Sequence, residues 1–154
     1  MRRPLSVQVF VVASQGPALS VLLLRRVARP DLALPDFWQG ITGALEDGET
    51  FEAAAIREVQ EETSIRLDSV TPTGYEYSFP IRPEWRKSYG HGPTHVCERV
   101  FVGIVSDACI PVLSSEHSAY RWCSMSQAEE LLAFGENRAC LNAAWQAVSS
   151  LRDA

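Results

Sequence analysis

The sequence predicts an α/β fold in which a mixed sheet lies between helical layers. Three observations carry this. Short runs rich in β-branched and aromatic residues occupy the first and third quarters of the chain. A helix-forming stretch follows a glycine-bracketed loop in the second. Leu141, Ala144, Trp145 and Val148 recur at helical spacing near the end, so a last helix can cover the sheet. The length of 154 residues suits a single domain over 1–154 and is too short for two typical ones.

Ser6 to Ala13 reads as a first strand, Ser14 to Pro17 as a turn and Leu19 to Arg25 as a second strand, forming a hairpin. The opening MRRPLSVQVFVVASQG has the outline of a signal peptide, but its apolar run is short, β-branched and broken by Gln8, which favours a buried strand. Arg25 and Arg26 close the second strand, as a solvated end or with one of them reaching a phosphate. Val27 to Asp36, with Pro30 and Pro35, is a loop. Phe37 to Thr42 forms a strand leading to Gly43, and the pair Phe37 and Trp38 either stacks on a planar ring or packs in the core.

From Phe51 to Glu62 good helix formers run without Gly or Pro, and Thr50 can cap the start. Leu67 to Gly74 is irregular, and Tyr75 to Pro80 is a strand with Tyr75, Tyr77 and Phe79 on one face. The polar loop Arg82 to Pro93 carries Arg82, Arg86, Lys87 and His91, charges suited to a polyphosphate or simply to solvent. Thr94 to Val105 and Tyr120 to Cys123 are further strands, joined by the connection Ser106 to Ser114. Ser126 and Glu129 make a capping box for a helix to about Phe134, and Asn137 caps a last helix from Arg138 to about Leu151.

A net charge of -5 and a pI near 5.2 argue against a nucleic-acid backbone binder, and no stretch approaches transmembrane length. Cys97, Cys109, Cys123 and Cys140 are irregularly spaced, which fits mostly buried, reduced thiols in a cytoplasmic protein, Cys97 lying near a pocket. His91, His95 and Cys97 cluster in sequence but lack a fourth zinc ligand.

Seven of the 19 acidic residues fall between Gly43 and Ile65. Glu58, Glu61 and Glu62 stand at i, i+3 and i+4, so three like charges share one helix face. A solvated face is the bland account of such a triplet. A hard divalent cation, Mg²⁺ or Mn²⁺, removes the repulsion and suits oxygen ligands. Gly43, Glu49, Arg57-Glu58-Val59, Glu61-Glu62 and Ile65 match the spacing G-x5-E-x7-R-E-U-x-E-E-x-G-U, where U is bulky and aliphatic. The chain therefore resembles the Nudix hydrolases. It departs from their pattern at Ser64, where the last Gly belongs, which implies modest strain or a different helix exit.

The resemblance implies a Nudix-type α/β/α sandwich and metal-dependent hydrolysis of a diphosphate linkage. It implies Glu58, Glu61 and Glu62 as metal ligands, Arg57 as the ion-pair partner that orients them, Glu49 as its support, and Gly43 and Gly48 as the turns of the loop. A further ligand or general base comes from Glu61, Glu62 or Glu116, of which Glu116 is preferred because relatives supply a glutamate from the matching segment. His117 beside it reads as structural or as a hydrogen-bond partner. Within the family, FWQGITGALEDGET and EHSAYRW are similar to bacterial dihydroneopterin triphosphate diphosphatases. That implies a pterin triphosphate substrate, for which the aromatic pair Phe37 and Trp38 and the basic residues Arg25, Arg86 and Lys87 are the candidate contacts. The expected cofactor is Mg²⁺ with Mn²⁺ as substitute, and the expected assembly a monomer or homodimer free of nucleic acid and membrane. Dinucleoside polyphosphate hydrolysis, general nucleoside triphosphate cleavage and a non-catalytic nucleotide sensor are the alternatives.

Overall fold

The structure, a computed structural model, describes residues 1–15 and 18–153. Strands β1 (Leu5–Gln15) and β2 (Ala18–Arg26) pair antiparallel. Ser14, expected in a turn, belongs to β1, and Gly16 and Pro17 of that expected turn lie outside the described residues. A 3-10 turn at Pro30–Leu32 interrupts the next loop.

The single strand expected over Phe37 to Thr42 is two, β3 (Phe37–Gln39) and β4 (Ile41–Ala44). Gly40 divides them because its N–H donates to Gln8 Oε1 at 3.1 Å, and a Cβ there would meet Phe10 and the Val9 carbonyl at 3.0 Å. After the break β3 stays with β2 while β4 crosses to β1.

Helix α1 (Phe51–Thr63) follows, with the Thr50 side chain accepting from the Ala53 N–H as expected. Strand β5 (Thr71–Pro80) starts earlier than the sequence suggested; Gly74, at φ 82°, lies in a register shift between Pro72 and Glu76, across which half-buried and exposed residues still alternate. The polar loop is partly wound, as the 3-10 turn Pro83–Trp85 and the short helix α2 (Arg86–Tyr89). Strand β6 (His95–Val105) runs parallel to β1, and β7 (His117–Cys123) joins β2.

Helix α3 (Met125–Leu131) is capped two residues before the expected site: the Ser124 hydroxyl accepts from Gln127 N–H, and Gln127 Oε1 accepts from Ser124 N–H. Helix α4 (Gly135–Asp153) also begins early, leaving Asn137 inside its first turn. There Asn137 Oδ1 accepts from Gln8 Nε2 at 3.4 Å instead of capping.

One sheet results, in the order β3-β2-β1-β6-β5, with β4 on β1 and β7 on β2. Alternation along β1 divides the core. Val7, Val9 and Val11 face α1 with Leu22, Leu24, Ala55 and Val59. Phe10 and Val12 face α3 and α4 with Leu23, Val100, Leu141 and Val148. Each fully buried Val, Leu or Phe among these contributes about 1.5–3 kcal/mol, which fixes α1 and α4 on opposite faces. The cysteines are all free; Cys123 and Cys140 are buried, whereas Cys97 is half-buried and Cys109 exposed, so fewer are interior than composition suggested. No described helix is long and apolar enough to cross a membrane.

Candidate active site

The acidic site is built where β4 hands the chain to α1. Val7 of β1 pairs with Gly43, and the loop is tied down by Leu45 N–H on Leu5 O at 3.0 Å and Glu46 N–H on Glu49 Oε1 at 2.9 Å. Gly48 turns the chain at φ 76°. Gly43 has a separate role: a Cβ there would overlap the Glu58 carboxyl group, so only glycine lets that side chain lie against the strand.

Arg57 organises the loop and helix together. Its Nε and Nη2 fork onto Glu49 Oε2 and Oε1 at 2.8 and 2.9 Å, Nη1 donates to Glu58 Oε1 at 2.8 Å and Glu61 Oε2 at 3.2 Å, and Nη2 also donates to Ala44 O at 3.0 Å. The Glu49 fork raises the guanidinium pKa, and Arg57 in turn holds Glu49 below its usual range. Glu58 differs. Burial pushes it up to about 7 against the pull of Arg57, with Glu61 and Glu62 adding to the rise. Glu61 is exposed.

Glu62 is buried and would rise for the same reason, but His117, Ser114 and Glu116 around it hold it low. The Ser114 hydroxyl donates to Glu62 Oε2, and His117 Nδ1 lies 2.9 Å from the same oxygen. That imidazole contact is close but poorly aligned, since neither ring nitrogen makes a well-formed hydrogen bond.

Glu58, Glu61, Glu62 and Glu116 line one cleft of about 480 Å³, with Arg57 and Gly43 in its wall. Among the described residues no three acidic, histidine or cysteine side chains converge as a ready-made cage, and His91, His95 and Cys97 form none either. Arg57 accounts for this at the main site, drawing Glu49, Glu58 and Glu61 onto itself. The donor set still fits a hard cation: carboxylate oxygens from two chain segments, and a buried carboxyl seated over a glycine that leaves it room.

A second cavity of about 440 Å³ opens beside the first. Phe37, Phe79, Trp85 and Phe134 supply aromatic walls, and the buried carboxyl of Glu98 lies among them. Phe37 and Phe134 meet edge to face at 5.2 Å. Trp38, the other half of the aromatic pair, packs instead against the α4 side of the core, because neighbours on a strand face opposite ways. Arg2, Arg26 and Thr42 line both cavities and so mark their junction. Arg26 Nε is buried there with no hydrogen-bond partner among the described residues.

Three basic residues picked out in the sequence are placed elsewhere. Arg25 pairs with Asp36, Arg86 donates to Pro93 O at 3.4 Å, and neither they nor Lys87 line either cavity. Strand alternation between Arg25 and Arg26 was the available signal for the swap. Arg2 and Glu98 had none, because each reaches the site through contacts remote in sequence, Arg2 through its N–H on Ser88 O at 2.7 Å and its guanidinium 5.7 Å from the Tyr89 ring centre.

A profile of the NUDIX domain matches residues 2–143. The chain belongs to the NUDIX family. It is 34% identical to the dihydroneopterin triphosphate diphosphatase of Escherichia coli K12 over 145 residues, 89% of each chain. It is 37% identical to that of Haemophilus influenzae over 101 residues, 63% of each chain. The solved E. coli dihydroneopterin triphosphate pyrophosphohydrolase superimposes with a TM-score of 0.73 at 32% identity, covering 91% of this chain and 93% of that one. This NUDIX chain is thus a hydrolase of phosphorus-containing anhydrides, with the α/β sandwich of its neighbours.

Proposed function

We propose that this NUDIX hydrolase is a Mg²⁺-dependent diphosphatase converting dihydroneopterin triphosphate to the monophosphate and pyrophosphate in the cytoplasm. The observation that carries the reading is the adjacency of the two cavities: an acidic cleft and an aromatic pocket meeting at Arg2, Arg26 and Thr42. One elongated ligand with a polyphosphate at one end and a planar ring at the other fits that pair. The 34% identity to the E. coli enzyme supports the pterin, and four free thiols suit a reducing compartment.

Glu58, Glu61, Glu62 and Glu116 would hold the cation, with Mn²⁺ able to substitute. When bound, a divalent ion supplies positive charge against the phosphate oxygens and acidity to a nearby water. Arg57 keeps Glu58 and Glu61 oriented, with Glu49 fixing the guanidinium from behind. Ser114 and His117 keep Glu62 ionised. Arg26 and Arg2 hold the polyphosphate at the junction, where the buried Nε of Arg26 has a donor to spare. Glu116, exposed in the cleft beside Glu62, takes the proton of the attacking water. The anhydride between the α and β phosphates breaks, and pyrophosphate leaves with the electron pair.

The test is a substrate panel in Mg²⁺ with products identified by mass: dihydroneopterin triphosphate, canonical and oxidised nucleoside triphosphates, dinucleoside polyphosphates and sugar nucleotides. The expected result is pyrophosphate release with the highest kcat/KM on the pterin, lost in EDTA and in Glu62→Gln. Binding without turnover of any member would establish a sensor instead.

A further inference from the structure

Glu98 has no part in the chemistry above, yet it is a carboxyl group 5% exposed, on the α4 side of β6 among aromatic rings. Its hydrogen-bond partners are all neutral: the Ser6 hydroxyl donates to Oε1 at 3.0 Å, Gln8 Nε2 to Oε2 at 3.3 Å, and the Tyr77 hydroxyl to Oε2. Packing alone gives no reason for it: Arg2, which lines the same pocket, attracts the carboxylate through space without closing to an ion pair among the described residues, and burying a carboxylate so weakly compensated costs several kcal/mol where an apolar residue would fill the space. A carboxylate offers about four lone-pair sites, and the three donors leave one open on Oε1. The Gln8 bond is long, and that amide has Asn137 Oδ1 as a second partner at 3.4 Å.

What the pocket lacks is a ligand presenting two N–H donors side by side on the edge of a flat ring. We propose that Glu98 determines the specificity of the aromatic pocket, accepting hydrogen bonds from the ring N–H and exocyclic amino group that pterins share with guanine. The ring N–H takes the open site on Oε1, and the amino group displaces the long Gln8 contact on Oε2. Phe37, Phe79, Trp85 and Phe134 offer apolar contact around the bicycle, whose side chain then points to the junction and the acidic cleft. Burial pushes the Glu98 pKa up to about 7, so paired donors are what would hold it ionised. The inference rests on the proposed function for the ligand's orientation.

The probes are neopterin and its 2-oxo counterpart, in which a carbonyl replaces the amino group. Both are titrated by fluorescence against the full chain in EDTA, where no hydrolysis is needed. Neopterin is expected to bind at least about tenfold more tightly, because the 2-oxo analogue leaves a buried acceptor unpaired. Glu98→Gln should erase that preference, and Glu98→Asp, which withdraws the carboxylate by one methylene, should shrink it. Circular dichroism checks that each variant is folded. Equal binding of the two probes to the unmodified protein overturns the proposal whatever the variants do, as does a folded Glu98→Gln that keeps the preference. A Glu98-dependent preference in a protein that hydrolyses nothing in the panel sinks the diphosphatase reading and leaves this one. Turnover of dihydroneopterin triphosphate with no discrimination at the amino group does the reverse.

Discussion

The α-carbon of Gly43 lies directly against the carboxyl group of Glu58, so close that a methyl group on it would occupy the same space. Gly43→Ala must therefore turn Glu58 out of its seat or shift β4 away from β1. Turnover in Mg²⁺ should fall by about a hundredfold or more, the scale of a misplaced catalytic geometry. Kinetics and a melting curve together check it, and a Gly43→Ala enzyme within a few-fold of the parent would remove this contact from the account.

Arg57 hydrogen-bonds three carboxylates, Glu49, Glu58 and Glu61, with Glu46 a fourth ion-pair partner at 3.5 Å, and only a planar fork can reach both oxygens of Glu49 while touching Glu58. Arg57→Lys keeps the charge and loses the fork. Since Arg57 is 21% exposed and Glu61 52%, solvent discounts the loss, leaving about 1–2 kcal/mol for Lys and about 3 kcal/mol for Ala. Urea unfolding measures both; an Arg57→Lys midpoint equal to the parent's would show that charge suffices.

Ser64 sits just past α1 at φ 63° and ψ 11°, and its N–H still bonds Gln60 O at 2.9 Å. The helix thus leaves through the left-handed exit that the family pattern fills with glycine, with the strain that a Cβ brings. Ser64→Gly should stabilise by about 1 kcal/mol, a rise of about 2–4 °C in Tm. No rise in a calorimetric scan would mean that the exit relaxes without cost.

The acidic helix was legible in the sequence because its signals are local: Thr50 caps it, the carboxylates recur at fixed spacing, and nothing within it breaks a turn. Elements were misread where a local signal lost to a distant partner. Asn137 has the chemistry of a cap, but α4 already starts at Gly135 and the side chain serves Gln8 across the fold. Phe37 to Thr42 reads as one strand until Gln8 claims the Gly40 N–H. The aromatic pocket was the least visible. Alternation places Glu98 on the face of Val100 and Val102, but Ser6, Gln8 and Tyr77, which make that position tolerable, stand 92, 90 and 21 residues away.

Glu58 titrates near 7 in the metal-free protein, and a cation must displace that proton to use the carboxylate. Magnesium affinity should therefore weaken as pH falls below about 7, by up to about tenfold per unit, and level off above it. Titration calorimetry at pH 6, 7 and 8 reads this, with Glu58→Gln expected to bind weakly and without that slope. A constant affinity from pH 6 to 8 would remove Glu58 from the metal's ligands.

Glu98 gives a second pH dependence, in folding. The unfolded chain releases this proton near 4.5 and the folded protein near 7, so between those values the folded state holds a proton that the unfolded state has lost. Stability must fall as pH rises through that window, and the cost is complete above it; 2.5 pH units correspond to about 3 kcal/mol, or about 6–12 °C in Tm for a chain of this size. Glu58, also raised, contributes with the same sign, so the absolute curve does not isolate Glu98. Its share is the difference between the parent and Glu98→Gln, which carries no titrating group at that position. The parent should lose stability relative to the variant from pH 4.5 to 8, most steeply around 6; two melting curves that run parallel across that range would mean that Glu98 already has its charge compensated in the fold.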